Sequence, residues 1–353
     1  MSKQLIILIV PLVFGACTSE KFSGGAGVFG GESKSSSSND SEKNDEGAVA
    51  SGTDHLTKDF EVGGASSGTD IVWIIDNSGS MGEEVAAVEK NFAQFLANVK
   101  TIVDTKVAFI TCKLALEADD YCLTEANLNA GPETMFIDST VGSTDALAIG
   151  ATAICPPETS MFPPDVALGM EKICDIPVTD LDEDINYNLL KGRLKDFFRQ
   201  GSRPVVVVVS DDTVEGFMGT SFQSVMDKKF GLLGWQFYGF VGLPTSVVGP
   251  NCQVEAVSPD YQALATNTKG ALFDLCAADW AGNFKALSEG IIYGATKLYV
   301  IADSKKIKVI DVLHNGKSVP KERYEVADNK VMLADDFAVT KGDKIQIIYD
   351  DVP

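Results

Sequence analysis

Ile71-Val72-Trp73-Ile74-Ile75-Asp76-Asn77-Ser78-Gly79-Ser80-Met81-Gly82 is the stretch whose reading decides the fold. Five consecutive apolar residues, several of them β-branched, predict a short strand buried on both faces. The run stops at a carboxylate, and small and hydroxyl residues follow before a helix begins. Ligands of open α/β sheets lie outside the carboxyl ends of the strands, which puts Asp76 where a site is expected. Asp76, Ser78 and Ser80 fall at alternate positions, and Gly79 and Gly82 let the backbone bend tightly. One carboxylate and two hydroxyls can therefore face a common point. All three are hard oxygen donors, suited to Mg²⁺, Ca²⁺ or Mn²⁺ rather than zinc. The plainer use of the same residues is a strand-to-helix turn with Ser78 or Ser80 as the helix N-cap.

Asp-x-Ser-x-Ser after an apolar strand resembles the metal-ion-dependent adhesion site of the von Willebrand factor type A (vWA) family. That resemblance implies an α/β fold with a doubly wound, mostly parallel sheet. It also implies two further ligands, an Asp on the central strand and a loop Thr. Val205 to Val209, the purest strand run in the chain, ends in Ser210-Asp211-Asp212. Asp211 matches the family's second ligand, with Asp212 the alternate. Two carboxylates at one sheet edge repel unless a cation lies between them. For the Thr there are two candidates, Thr144 in Gly-Ser-Thr-Asp-Ala-Leu and Thr159 in Pro-Glu-Thr-Ser-Met. Thr159 is preferred, because it precedes a helix expected over Pro164 to Cys174, an arrangement resembling bacterial lipoprotein members. Ser143 or Thr144 could equally cap a short helix from Asp145.

The 353 residues suit one large domain plus a smaller one. With 29 Lys and Arg against 50 Asp and Glu, a formal charge of −21 disfavours nucleic-acid partners. Lys3, the apolar run Leu5 to Phe14 and Gly15-Ala16-Cys17 read as an export signal. Small residues directly before a Cys resemble the lipobox of bacterial lipoproteins, in which Cys17 becomes lipidated. Phe14 stands where such boxes usually carry Leu. Thr18, rather than Asp, after that Cys implies outer-membrane sorting, so the membrane is met only through the lipid anchor. The alternative is an ordinary secretory signal with an incidental Cys.

Six cysteines remain: Cys112, Cys122, Cys155, Cys174, Cys252 and Cys276. An even number in an exported chain predicts disulfides; fifteen connectivities are possible, the simplest being 112–122, 155–174 and 252–276. Without a Cys-x-x-Cys pair and with only His55 and His314, zinc is rejected.

Residues 18–58 are rich in Ser, Gly, Asn and charge and read as a tether without a core. Glu83 to Lys100 places Val85, Val88, Phe92, Phe95, Leu96 and Val99 at helical spacing, with Glu83 and Glu84 favourably at its N-terminus. Lys106 to Thr111 is the next strand, so a β-α-β unit and a parallel sheet follow. A helix is expected over Asp184 to Gln200, strands over Trp235–Leu243 and Ala271–Cys276, and helices over Tyr261–Thr266 and Asp279–Gly290. From Lys297 short alternating strands and the hairpin signal Asn315-Gly316 predict a small all-β module. The expected division is a leader at 1–17, a tether at 18–58, the vWA-like domain at 59–295 and the β module at 296–353.

The function this implies is adhesion rather than catalysis. Asp76, Ser78, Ser80, Thr159 and Asp211 would hold Mg²⁺, or Mn²⁺ or Ca²⁺. A protein or matrix ligand would offer a carboxylate to the ion's open position. The rival is a Mg²⁺-dependent hydrolase with Asp76 as nucleophile. It lacks a His base near either Asp, and no Gly-x-Ser-x-Gly elbow or Walker loop is present.

Overall fold

The structure, a computed structural model, describes residues 55–63, 68–112, 121–123, 128, 131, 134–155, 190–199, 202–231, 234–249, 252–301, 306–327, 329–334 and 336–352. The leader, Cys17, Thr159, Cys174 and the helix expected over 164–174 lie outside the described residues.

Six strands form the central sheet: β2 (Thr69–Ile75), β3 (Thr105–Thr111), β4 (Met135–Asp138), β5 (Arg203–Ser210), β6 (Gln236–Val241) and β7 (Ala271–Asp274). Their order is β4-β3-β2-β5-β6-β7, and every pairing is parallel. The chain winds outward from β2 in both directions, so the order reverses between β2 and β5. That pair is the topological switch point, outside whose carboxyl ends ligands of such sheets bind.

Among the described residues five helices cover the two faces: α1 (Gly82–Lys100), α2 (Ala146–Ile154), α3 (Gly219–Phe230), α4 (Pro259–Asn267) and α5 (Trp280–Lys297). Side chains alternate along a strand, so each strand feeds two cores. Ile71, Trp73, Ile75, Val205, Val207 and Val209 pack with α1 and α5. Val72, Ile74, Val206 and Val208 pack on the other face with α2, α3 and α4. Trp73 is the centre of the first core, edge-on to Phe92 and Phe95 and stacked on Phe284 at 5.6 Å. Each large side chain buried this way contributes about 1.5–3 kcal/mol. In the second core α2 is buried on every side. It lies so near the sheet that a Cβ on Gly150 would sit 2.5 Å from Ile74 Cδ1. The α/β class and the double winding expected from the sequence are thus present.

The β module has two small antiparallel sheets. One contains β1 (Leu56–Glu61), β13 (Lys344–Asp351), β9 (Ile307–His314) and β10 (Lys317–Ser318). The other joins β11 (Tyr324–Ala327), β12 (Lys330–Leu333) and β8 (Leu298–Val300). Asn315 and Gly316, at φ 49° and 79°, turn β9 into β10 as the hairpin signal predicts. The module's core is Phe60, Val62, Tyr299, Val312, Val331, Leu333, Ile345 and Ile347.

Several expectations are corrected. β1 begins inside the segment read as tether and pairs with β13, so the module draws a strand from before the α/β domain. Of its six residues only Phe60 is buried, which leaves no alternation to read. Residues 191–199 form successive turns, not the end of a helix over Asp184 to Gln200. Those turns bring Arg199 to the start of β2. Its Nε donates to Asp70 Oδ1 at 2.8 Å and its main-chain N–H to Oδ2 at 2.6 Å. Ser202 Oγ donates to the same Oδ2 at 2.6 Å. Helix α3 and strand β4 were not expected, and α5 runs past Gly290 to Lys297.

Candidate metal centre

Asp76 follows β2 and Asp211 follows β5, so the switch point brings both carboxylates to one edge. The main chain enforces this: Asp76 N–H donates to Val209 O at 3.0 Å, extending the β2–β5 pairing by one step. Asp76 is fully buried and Asp211 is 1% exposed. Ser78 N–H donates to Asp76 Oδ1 at 2.8 Å, which folds the turn back over the strand end. Ser78 Oγ and Ser80 Oγ lie 3.2 Å apart on the exposed side of that turn. The turn therefore sets the Ser78 hydroxyl beside Asp76 and the Ser80 hydroxyl beside Asp211. Met81, not a serine, holds the N-cap position of α1 and makes no side-chain cap. That frees both hydroxyls from the simpler role.

A third wall comes from residues 141–145. Asn77 Oδ1 accepts from Val141 N–H at 2.7 Å, and Asn77 N–H donates to Val141 O at 3.1 Å. Ser210 Oγ stands between the walls, 3.1 Å from Asp76 Oδ2 and 3.0 Å from Ser143 O. Glu215 N–H donates to Thr144 O at 3.1 Å. The Thr144 loop is thereby tied to the ends of both β2 and β5, while Thr159 lies outside the described residues. Asp212 is half-buried and turns back on the chain, its Oδ1 accepting from Thr213 N–H at 2.6 Å.

The electrostatics are those of acids with too few donors. Burial pushes the Asp76 carboxyl up to about 7; the Ser78 bonds pull it down and the Asp211 charge adds to the rise. Asp211 is raised as well, again chiefly by burial. Neither of its oxygens has a well-formed hydrogen bond, and the Ser80 hydroxyl that stabilises its charge does not offset burial. Glu84 on the first turn of α1 is 4% exposed, and its carboxyl is pushed up to about 7 by burial. The charges of Asp211 and Asp76 act in the same direction on it. Among the described residues no three His, Cys, Asp or Glu side chains converge as the ligands of one ion. The donor set here is two carboxylates plus hydroxyls. It fits a hard divalent cation, which would offset the repulsion that burial sharpens.

Ser80 and Glu84 open on a cleft of about 450 Å³, lined also by Gly79, Gly82, Glu83, Tyr121, Cys252 and Gln253. Disulfides Cys112–Cys122 and Cys252–Cys276 are formed, with Cα atoms 4.9 and 5.5 Å apart. Cys112 follows the carboxyl end of β3 and Cys276 that of β7, and both pairings are among those expected. Cys155 is disulfide-bonded too, and its expected partner Cys174 lies outside the described residues. His55 pairs with Asp350 at 2.6 Å and His314 with Asp343 at 2.9 Å, both in the β module.

Sequence reasoning missed Asn77, Ser210 and Glu84. Ser210 stood beside Asp211 without a motif role. Its place in the first turn makes Glu84 look like a helix-dipole acid, although its spacing of four from Val88 puts it on the buried stripe.

No protein-family model matches the chain, and no curated protein is similar to it in sequence. Among solved structures, it is similar to the pilus adhesin SpaC from Lactobacillus rhamnosus GG. Against the open conformation the identity is 10% and the TM-score 0.34, over 84% of this chain and 40% of that one. Against a second form they are 11% and 0.29, over 84% and 41%. The chain spans about two fifths of the length of those structures. Among the described residues no helix is long and apolar enough to cross a membrane.

Proposed function

We propose that this chain is a metal-dependent binding module of the vWA type, held at the cell envelope by a lipid on Cys17. The observation that carries the reading is the pair of buried carboxylates, Asp76 and Asp211, at the switch point of a parallel sheet. No Lys, Arg or His among the described residues makes an ion pair with either. Asp76 and Asp211, with the hydroxyls of Ser78 and Ser80, would hold Mg²⁺ or a similar ion. A threonine completes the set; of the two candidates, Thr144 sits on the loop that Asn77 and Ser210 tie to this edge. The bound ion supplies positive charge at a place where no Lys, Arg or His among the described residues makes an ion pair. A protein or matrix ligand with a carboxylate is the complementary partner. Both imidazoles are engaged in the β module, which supports binding over hydrolysis at Asp76.

The test is titration calorimetry with Mn²⁺ on wild type, Asp76→Asn and Asp211→Asn. One site in wild type and none in either variant, with the fold intact by circular dichroism, is the expected result. Equal titrations for all three would sink the reading. Phosphatase assays on the same samples separate it from the hydrolase alternative, which needs metal-dependent turnover lost in Asp76→Asn.

A further inference from the structure

Glu84 is in an unusual place for a charged residue. The buried stripe of α1 runs through Glu84, Val85, Val88, Phe92, Phe95, Leu96 and Val99, and every other member is apolar. A glutamate that served only the helix dipole would lie in water, as its exposed neighbour Glu83 does. Glu84 is instead 4% exposed, and its Oε2 is buried without a hydrogen-bond partner. The donor that does stabilise its charge is its own main-chain N–H. The side chain lines the cleft that Ser80 also lines, and its charge is felt alongside those of Asp76 and Asp211. A buried oxygen with no partner, on a side chain that lines the same cleft as Ser80, is a place for an ion-bound water.

We infer that Glu84 is an outer carboxylate of this ion site, acting on the cation through water rather than as a direct ligand. This rests on the metal reading above. The direct role is set aside because Glu84 does not converge with Asp76 and Asp211 as a three-acid cluster. Outer partners of this kind orient the inner groups and add charge, and their loss typically weakens metal affinity about 10-fold to 100-fold. There is a consequence for recognition. The Glu84 charge lowers the positive charge that the bound ion presents to the cleft, so Glu84 weakens capture of an exogenous carboxylate.

The experiment uses the full chain with Mn²⁺ as probe, comparing wild type, Glu84→Gln, Glu84→Asp and, as a control in the β module, the exposed Glu322→Gln. The expected result is Mn²⁺ affinity about 10-fold weaker in Glu84→Gln, unchanged in Glu322→Gln, and partly recovered in Glu84→Asp. Metal-free Glu84→Gln should melt higher than metal-free wild type, because a buried charge without a cation has been removed. Acetate should bind Mn²⁺-loaded Glu84→Gln more tightly than Mn²⁺-loaded wild type. A purely structural Glu84 gives the opposite pattern: a lower melting point in Glu84→Gln and unchanged Mn²⁺ affinity, which overturns the inference. If Mn²⁺ binds wild type, fails with Asp76→Asn and is indifferent to Glu84→Gln, the metal reading stands and Glu84 alone is refuted. If wild type takes up no Mn²⁺ at all, both fall together.

Discussion

The two ends of β2 treat a buried aspartate in opposite ways. At the start of the strand, the Asp70 side chain is fully buried and the chain supplies its cation. Arg199 meets it at 2.7 Å, and the Arg199 amide and Ser202 hydroxyl fill the remaining positions. At the other end, Asp76 is equally buried, but its donors are the Ser78 amide and the Ser78 and Ser210 hydroxyls, with no cation among them, and Asp211 stands nearby. A carboxylate removed from water needs compensation of comparable strength. The amino end of the sheet has that compensation built in. The carboxyl end has no such ion pair among the described residues. The same contrast recurs in the β module, where Asp343 takes bonds from His314, Asn315 and Thr340, and its carboxyl is held well below the usual range.

The largest expected effect tests the closed end. Arg199→Met strands Asp70 as a buried charge and should lower stability by about 3–5 kcal/mol. At the open end, Asp76→Asn should leave the metal-free chain as stable as wild type, or more so. Urea denaturation in EDTA measures both. If Asp76→Asn is as damaging as Arg199→Met, Asp76 already has an internal partner and the comparison collapses.

Next in size is the effect of an added cation. At 100 times its dissociation constant, Mn²⁺ should stabilise wild type by about 2.7 kcal/mol. It should do nothing for Asp76→Asn or Asp211→Asn, while Arg199→Met should keep the metal increment on its lower baseline. An equal Mn²⁺ shift in wild type and Asp211→Asn would remove the second strand end from the site.

The pH dependence of the metal-free chain sharpens the same point. The Asp76 carboxyl lies at about 7 in the folded chain, against 3.8 for an unperturbed one. Between these values the folded state binds the proton that the unfolded state has released. Stability therefore falls as pH rises from about 4 to about 7 and levels above that, by no more than about 4 kcal/mol. Saturating Mn²⁺ should flatten the slope, and so should Asp76→Asn. Denaturation midpoints at pH 5, 6, 7 and 8 that rise in EDTA would contradict the raised carboxyl.

The contrast between the two ends also explains what could be read in the sequence. Strands β2 and β5 are continuous apolar runs, because both faces are covered, and each ends visibly on its acid. The open end was therefore legible from local patterns. The closed end was not: Asp70 and Arg199 are 129 positions apart, and Arg199 lies in turns that read as an amphipathic helix. Strand β1 escaped because its partner β13 lies nearly 300 residues away and one buried Phe makes no pattern. Helix α3 buries only Gly219, Phe222, Val225 and Met226, too sparse a stripe among polar residues to stand out. Glu84 was hidden by a rule that was locally correct, since acids do favour helix starts.

The smallest effect concerns the third wall of the open end. On sequence, Thr159 is preferred to Thr144 because it precedes an expected helix. Residues 141–145 are bonded to the ends of β2 and β5 through Asn77, Ser210 and Glu215, and α2 begins at Ala146. Asp145 holds the N-cap position of α2 and makes no side-chain cap, so Thr144 is not the capping residue. Its removal should therefore cost less stability than the roughly 1 kcal/mol of a lost cap. If its hydroxyl serves the ion, Thr144→Ala weakens Mn²⁺ binding several-fold, Thr144→Ser restores it, and Thr159→Ala changes nothing. The reverse outcome, with Thr159→Ala weakening binding and Thr144→Ala silent, returns the ligand to Thr159. The Asp76–Asp211 pair would keep its role in either case, because the contrast with Asp70 does not depend on which threonine closes the wall.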